Sequence, residues 1–334
     1  MLSFFGYPTM DHLNLAADQL MATVRVSSCD ETAPHLSFIN GVWVDGSLIL
    51  RSSFQEVASR IYGAVAKPVD FQHRAPEVVK EVNEWVQKET NGLIKDLIPD
   101  GSVDSLTKLI IANALYFKGA WADKFDSSQT KEGTFHLLDR NTVKVPFMST
   151  KKDQFISQFR GFKVLKLYYN QKPGQRRFYM LIFLPDEKNG LNELVQRMSS
   201  DPGFIGQHTP RARRVEVRNF IIPKFKIGHG FEASKILIDM GMRAPFDMEQ
   251  ADFTEMILSS LGDKLYISSV HHKASIEVDE EGTIAAAATA VGFRLMCYRP
   301  PVDFVADHPF MFAIVEEDSE AVLFMGHVVN PLVE

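Results

Sequence analysis

Cysteine is nearly absent from this chain: Cys29 and Cys297 are the two present in 334 residues. So few, so far apart, form neither a disulfide framework nor a zinc-ligand spacing, and both are expected to be free thiols. No Asn-x-Ser/Thr acceptor occurs, and no apolar run reaches membrane-spanning length. The opening MLSFFGYPTMDHLNLAADQL lacks the basic start and long apolar segment of a secretion signal. This predicts a cytoplasmic protein, with an extracellular one as the alternative. Excess charge is small, a net of -6, which argues against a general nucleic-acid binder. The local cluster Arg211, Arg213, Arg214 and Arg218 grades into the alternating VEVRNF and reads as a solvated strand end, not an anion site. Also missing are the G-x-S-x-G elbow, the H-E-x-x-H helix, the P-loop and the dinucleotide fingerprint. His308 and His327 lie in strand contexts without an obvious nucleophile. An enzyme, a metal site and a cofactor are therefore not expected. No Pro/Gly/Ser-rich linker, low-complexity tract or repeat divides the chain, so residues 1–334 are expected to form one large domain.

What is present is a chain 45% hydrophobic and 23% charged, enough apolar material for a sizeable core. Leu13, Ala17, Leu20 and Val24 fall on one helical stripe, and Phe54, Val57, Ala58 and Ile61 on another. Val78, Val82, Trp85 and Val86 mark a third helix, started by Pro76 and stopped at Asn91-Gly92. Between the second and the first, SFINGVWVDG reads as a strand with a turn. The runs LIIANALYF and FYMLIFLP suit buried central strands. Helices and strands are intermixed without regular alternation, an α+β pattern.

The carboxyl-terminal third holds the most informative segment, EVDEEGTIAAAATA from Glu277 to Ala290. Alternation in Ala274–Val278 predicts a strand. Alanine's helix propensity favours a helix beyond it. The same residues also suit an extended segment, with Thr283, Ala285, Ala287 and Thr289 on one face and nothing large among them. Glu280, Glu281 and Gly282 precede them as a flexible root. VGFRLMCYRPPVDF follows, broken by Gly292, Pro300 and Pro301 and rich in residues that proteases read in an exposed loop. After Asp307-His308-Pro309-Phe310 come MFAIV, the acidic turn EEDSE and AVLFMGHVVNP, which predict a buried hairpin.

Seven segments, in order, resemble one family. They are EVNEW at Glu81, KETNGLI at Lys88, LIIANALYFKGAW at Leu109, VPFM at Val145, LIFLPD at Leu181, IPKFKI at Ile222 and VHHKASIEVDEEGT at Val270. Together with the hinge-like segment and the hairpin they resemble the serpins, most closely the plant serpins, over nearly the whole chain.

The resemblance implies three β-sheets with surrounding helices and an exposed reactive-centre loop, residues 282–303. It implies a monomeric inhibitor of serine proteases of chymotrypsin-like, elastase-like or subtilisin-like type, or of a cysteine protease. Its alternative is a non-inhibitory, conformationally inert relative. The hinge is Glu280, Glu281, Gly282, Thr283, Ala285, Ala286, Ala287, Ala288 and Thr289. Family spacing from Gly282 places the reactive bond at Met296-Cys297, with Leu295 and Arg294 in the preceding subsites. An incidental exposed methionine is the plain reading of Met296. Asn113 and His272 match the polar group that holds the main sheet shut, Trp121 matches a tryptophan near the point where a loop first enters that sheet, and Lys224 and Glu280 match a family ion pair at the top of the sheet. Met1 aligns inside the family's region ahead of the fourth helix, so the first helices of the fold are expected to be lacking, with one side of that polar group. Ile284 stands where plant relatives carry an acidic residue.

Overall fold

The computed structural model describes residues 2–24, 35–171, 176–211, 213–258, 265–281 and 300–333. In chain order it forms α1 (Leu2–Phe5), α2 (Met10–Val24), β1 (His35–Asp45), β2 (Ile49–Leu50), α3 (Ser52–Arg60), β3 (Ala64–Val69), α4 (Phe71–Glu89) and β4 (Leu109–Lys118). Strands β5 (Lys131–His136), β6 (Thr142–Ser149), β7 (Phe155–Phe159), β8 (Phe162–Tyr168) and β9 (Phe178–Pro185) follow, then α5 (Leu191–Ser200) and α6 (Phe204–His208). The remainder is β10 (Val217–Pro223), β11 (Phe225–Glu232), α7 (Ser234–Asp239), β12 (Ile257–Leu258), β13 (Ser269–Val278), β14 (Val302–Val305), β15 (Phe310–Glu316) and β16 (Val322–Val328).

Two compact units result. The first takes in the chain up to Ser27, Leu36–Phe117 and Gly228–Ile276; the second takes in Lys118–Ile227 and Glu277–Glu334. A five-stranded sheet of order β11-β13-β4-β1-β3 dominates the first unit, beside the short ribbon β12-β2. The second unit holds a five-stranded sheet, β16-β15-β9-β8-β7, and a four-stranded one, β14-β10-β6-β5. This is the expected α+β architecture with three substantial sheets.

In the first unit, α4 turns Val78, Val79, Val82 and Val86 toward Ile110, Ala112, Ala114 and Tyr116, the i, i+3/i+4 stripe that a helix lays on a sheet. The helix starts earlier than Pro76, because Asp70 accepts a hydrogen bond from the backbone N–H of His73 at 3.0 Å and caps it there. Pro76 bends it: Arg74 has non-helical φ -136° and ψ 33°, the kink expected where proline removes a donor and crowds the preceding turn. Asn91 and Gly92, with φ of 52° and 80°, end it as anticipated.

Trp43, 2% exposed, meets Trp85 edge-on at 5.2 Å. Its ring stands 2.1 Å from where a Cβ on residue 41 would be, so only glycine fits at Gly41, and β1 runs straight through Asn40-Gly41 before turning after Asp45. The α3 stripe is as expected, with Ala58 and Ile61 buried. On α2 the inward residue is Met21, and Leu20 is 51% exposed. Positions three and four beyond Ala17 are both neighbours on a helix surface, and spacing alone does not choose between them.

In the second unit every residue of β9 is buried, as its unbroken apolar run predicts, and α5 and α6 cover it with Leu191, Leu194, Met198 and Phe204. The hairpin departs from expectation. β15 is buried throughout, but β16 lies at the sheet edge and leaves Met325 58% exposed. Arg218 pairs with Asp303 and Arg214 with Asp123, all at least a third exposed, which makes the arginine cluster a solvated strand end. Among the described residues no group of three His, Cys, Asp or Glu is placed to hold a metal ion, and no helix is long and apolar enough to cross a membrane.

Candidate functional site

The centre of the main sheet is a parallel pair. β13 and β4 are hydrogen-bonded neighbours in register from Ser269↔Ile110 to Ile276↔Phe117. Both strands alternate, and the residues turned to one side include His272 and Asn113, which are direct register partners. Nδ1 of His272 lies 2.6 Å from Oδ1 of Asn113. The Asn113 amide N–H₂ donates to Oδ1 of Asn40 at 2.7 Å and to the carbonyl of Ile39 at 3.2 Å. Those two acceptors orient the amide, so Oδ1 faces the imidazole and Nδ1 of His272 carries the proton. Asn40 in turn donates to the carbonyl of Tyr62 at 2.8 Å, and the Tyr62 hydroxyl donates to Asn14 of α2 at 2.9 Å. The expected pair is thus brought together, and Asn40, which the sequence did not single out, extends it across a third strand. Burial pushes the His272 imidazole below its ordinary pKa, and the nearby His229 adds to the effect.

A second constellation gathers around Asp279, Glu280 and Glu281, just ahead of the expected loop, within the second unit. Trp121 is 3% exposed, stacks on Tyr169 at 4.6 Å and meets Phe125 edge-on. Its indole N–H donates to the carbonyl of Asp279 at 2.8 Å. A buried indole needs such a partner. Lys224, following β10, reaches Glu280 at 2.6 Å, and the Thr130 hydroxyl donates to the same carboxylate at 2.7 Å. Burial pushes the Glu280 carboxyl upward, but the hydrogen bonds from Lys224 and Thr130 outweigh it and hold the group below its usual range. Glu281 is fixed through its N–H to Oδ1 of Asp279 at 2.9 Å. Lys118, the last residue of β4, donates to Glu277 at 3.2 Å and lies 3.5 Å from Asp279. Trp121, Lys224 and Glu280 therefore meet around one short segment. Lys118, Thr130, Glu277 and Asp279 complete the set, and sequence reading missed them.

The profile of the Serpin family, described as serine protease inhibitor, matches residues 1–331. This chain belongs to the serpin family. Among its relatives, Serpin-ZX of Arabidopsis thaliana is 48% identical over 335 residues, covering 99% of this serpin and 85% of the relative. Serpin-Z1C of Triticum aestivum is 49% identical over 334 residues, covering 99% and 83%. The solved structure of Arabidopsis AtSerpin1, in its native stressed conformation, superposes with a TM-score of 0.92 at 47% identity, covering 99% of this serpin and 85% of that chain. The family is one of protease inhibitors, not enzymes.

Gly282, Thr283, Ala285, Ala286, Ala287, Ala288, Thr289, Arg294, Leu295, Met296 and Cys297, and the choice between helix and extended segment for Thr283–Ala290, lie outside the described residues. So does Cys29. At the far end of the expected loop, Val302 and Asp303 are already strand: β14 pairs in parallel with β10 from Val302↔Val217, as the alternation of VDFV favours.

Proposed function

We propose that this serpin inhibits serine proteases by being cut once and trapping the enzyme, with residues 1–334 acting as a single domain and the segment from 282 up to the start of β14 at Val302 as the bait. One observation carries the reading. β4 and β13 are parallel neighbours joined to each other over the registered stretch ending at Ile276↔Phe117, and the loop root leaves directly from the end of β13. A segment that turns back there runs antiparallel to β13 and therefore to β4. It replaces one parallel ladder with two antiparallel ones, the more stable kind per residue. Roughly ten added hydrogen bonds at about 1 kcal/mol net each release on the order of 10 kcal/mol, comparable to the stability of a whole domain. The small residues Thr283, Ala285, Ala287 and Thr289 suit the buried side of such a strand.

Cleavage at Met296-Cys297 supplies the trigger. The protease serine forms an acyl-enzyme with Met296, and insertion of the freed tether pulls the enzyme away before water completes the reaction. Met296 with Leu295 favours apolar primary pockets, hence chymotrypsin-like, elastase-like or subtilisin-like enzymes. The printed description of AtSerpin1 as natively stressed, carried to this chain, supports a stored reservoir of this kind.

Mixing the protein with such proteases, and with a cysteine protease for contrast, tests the reading. The expected result is a complex that survives denaturing electrophoresis, a released fragment beginning at Cys297, and cleaved protein that melts well above intact protein. Clean cleavage with no trapping and no thermal gain overturns it and makes the chain a non-inhibitory serpin.

A further inference from the structure

We infer that Lys118 is the release catch of the loop, a positioning residue whose bridge to Glu277 and Asp279 sets how fast the cut segment enters the main sheet. The inference rests on the insertion reading above and adds a regulator that the reading does not require. The backbone ladder between β4 and β13 reaches its last registered pair at Phe117↔Ile276. The next residues on the two strands are Lys118 and Glu277, and their side chains are bonded at 3.2 Å, with Asp279 3.5 Å from the same ammonium. A segment folding back from Glu281 reaches that end first. It cannot begin to pair with both strands until the ammonium has let go of one side.

The environment of the bridge suits a catch more than a permanent lock. Lys118 is 42% exposed, Glu277 29% and Asp279 20%, so water and salt reach the contact, and its strength stays in the range of surface pairs. The other ties at the loop root act elsewhere. Lys224 and Thr130 hold Glu280, and Trp121 holds the carbonyl of Asp279. Neither links Lys118, the last residue of β4, to the residues at the end of β13. Lys118 also offsets a charge conflict, because Glu277, Asp279, Glu280 and Glu281 bring four carboxylates into five positions. Lysine is the appropriate type, since its flexible stem carries a point charge that can leave one carboxylate without a rigid fork to dismantle.

The trapped-to-released ratio of a cut serpin is the rate of insertion divided by the rate of acyl-enzyme hydrolysis, so it reads the catch directly. Lys118→Met is expected to raise that ratio about five-fold, which is ~1 kcal/mol of barrier, and Lys118→Arg, which keeps the charge and adds a fork to dismantle, to hold it at or below the wild-type value. Glu277→Gln is expected to raise it in the same direction, and the double variant Lys118→Met with Glu277→Gln to add little beyond either single change. Salt raised toward ~1 M, where the screening length is about 3 Å, should lift the wild-type ratio and leave that of Lys118→Met unchanged. A merely structural lysine would lower the melting temperature of Lys118→Met without moving the ratio or its salt dependence, and that result overturns the catch. If wild-type protein gives neither a trapped complex nor a thermal gain on cleavage, the insertion reading itself falls and takes the catch with it. Wild-type trapping with an unmoved ratio in both single variants sinks the catch alone.

Discussion

Asn113 on β4 and His272 on β13 are register partners whose side chains bond at 2.6 Å, so the strand pair that the proposed insertion separates carries a polar staple on one face. Removing one partner of this part-buried hydrogen bond leaves the other with poorer satisfaction, because water reaches the site only in part. Asn113→Ala strands His272 and also the Asn40 acceptor. The expected loss is about 1–2 kcal/mol, the lower part of the range for a buried group, read as a lower urea midpoint of the intact protein with little change of slope. An unmoved midpoint would show that the staple contributes nothing.

The same histidine sets a pH dependence. Burial, with His229 adding to it, holds the His272 imidazole below the ordinary value of about 6.5. Unfolded chains then take up the proton first as the solution is acidified. Stability is therefore full above pH ~6.5 and is lost as pH falls through the depressed folded value. His271, lowered by burial and partly restored by Glu232, acts in the same direction. Urea midpoints measured downward from neutral pH should fall in wild type and fall less steeply in His272→Gln. Coincident slopes would exclude His272 as the titrating group.

Glu280 is 12% exposed and its partner Lys224 34%, a pair between the surface and buried limits. Lys224→Met leaves the carboxylate with Thr130 alone, and a loss of about 1–2 kcal/mol is expected, discounted from the buried case because water reaches the lysine. With its folded pKa depressed, Glu280 contributes stability that is present above the ordinary carboxylate range and lost as pH falls through the folded value. Acid unfolding of Lys224→Met should accordingly be less steep than that of wild type over that range. Equal acid profiles would remove the pair from the account.

Trp121→Phe keeps an aromatic ring on Tyr169 but deletes the indole donor to the Asp279 carbonyl. About 1 kcal/mol is at stake. Trp121 is one of three tryptophans, and its hydrogen bond lies just ahead of the proposed reactive loop, so cutting at Met296-Cys297 should change the emission of wild-type protein. The variant should show little of that change. An equal change in both would place the reporter at Trp43 or Trp85.

Much of this was legible beforehand wherever one residue's own chemistry decides the outcome. The unbroken apolar run of β9 had nowhere to go but the middle of a sheet, and Asn91-Gly92 had to end α4 because few other residues accept positive φ. Pro76 was misleading for a related reason. Proline marks a bend as readily as a beginning, and the capping carboxylate of Asp70 decided between them. β16 read as buried because its composition is apolar, yet composition does not say which strand of a hairpin lacks an outer neighbour.

By itself the sequence determined the family, the mixed α+β class, the strands that had to be buried and, through resemblance, the partnership of Asn113 with His272 and of Lys224 with Glu280. Those conclusions depend on residue type and order along the chain. Only the tertiary structure decided that Lys118 meets Glu277 and Asp279, that Thr130 shares Glu280 with Lys224, and that Asn40 joins the polar track. Lys118 and Glu277 lie 159 residues apart. What joins them is the register of two parallel strands, and a period-two pattern specifies which face a residue takes but not which residue stands opposite.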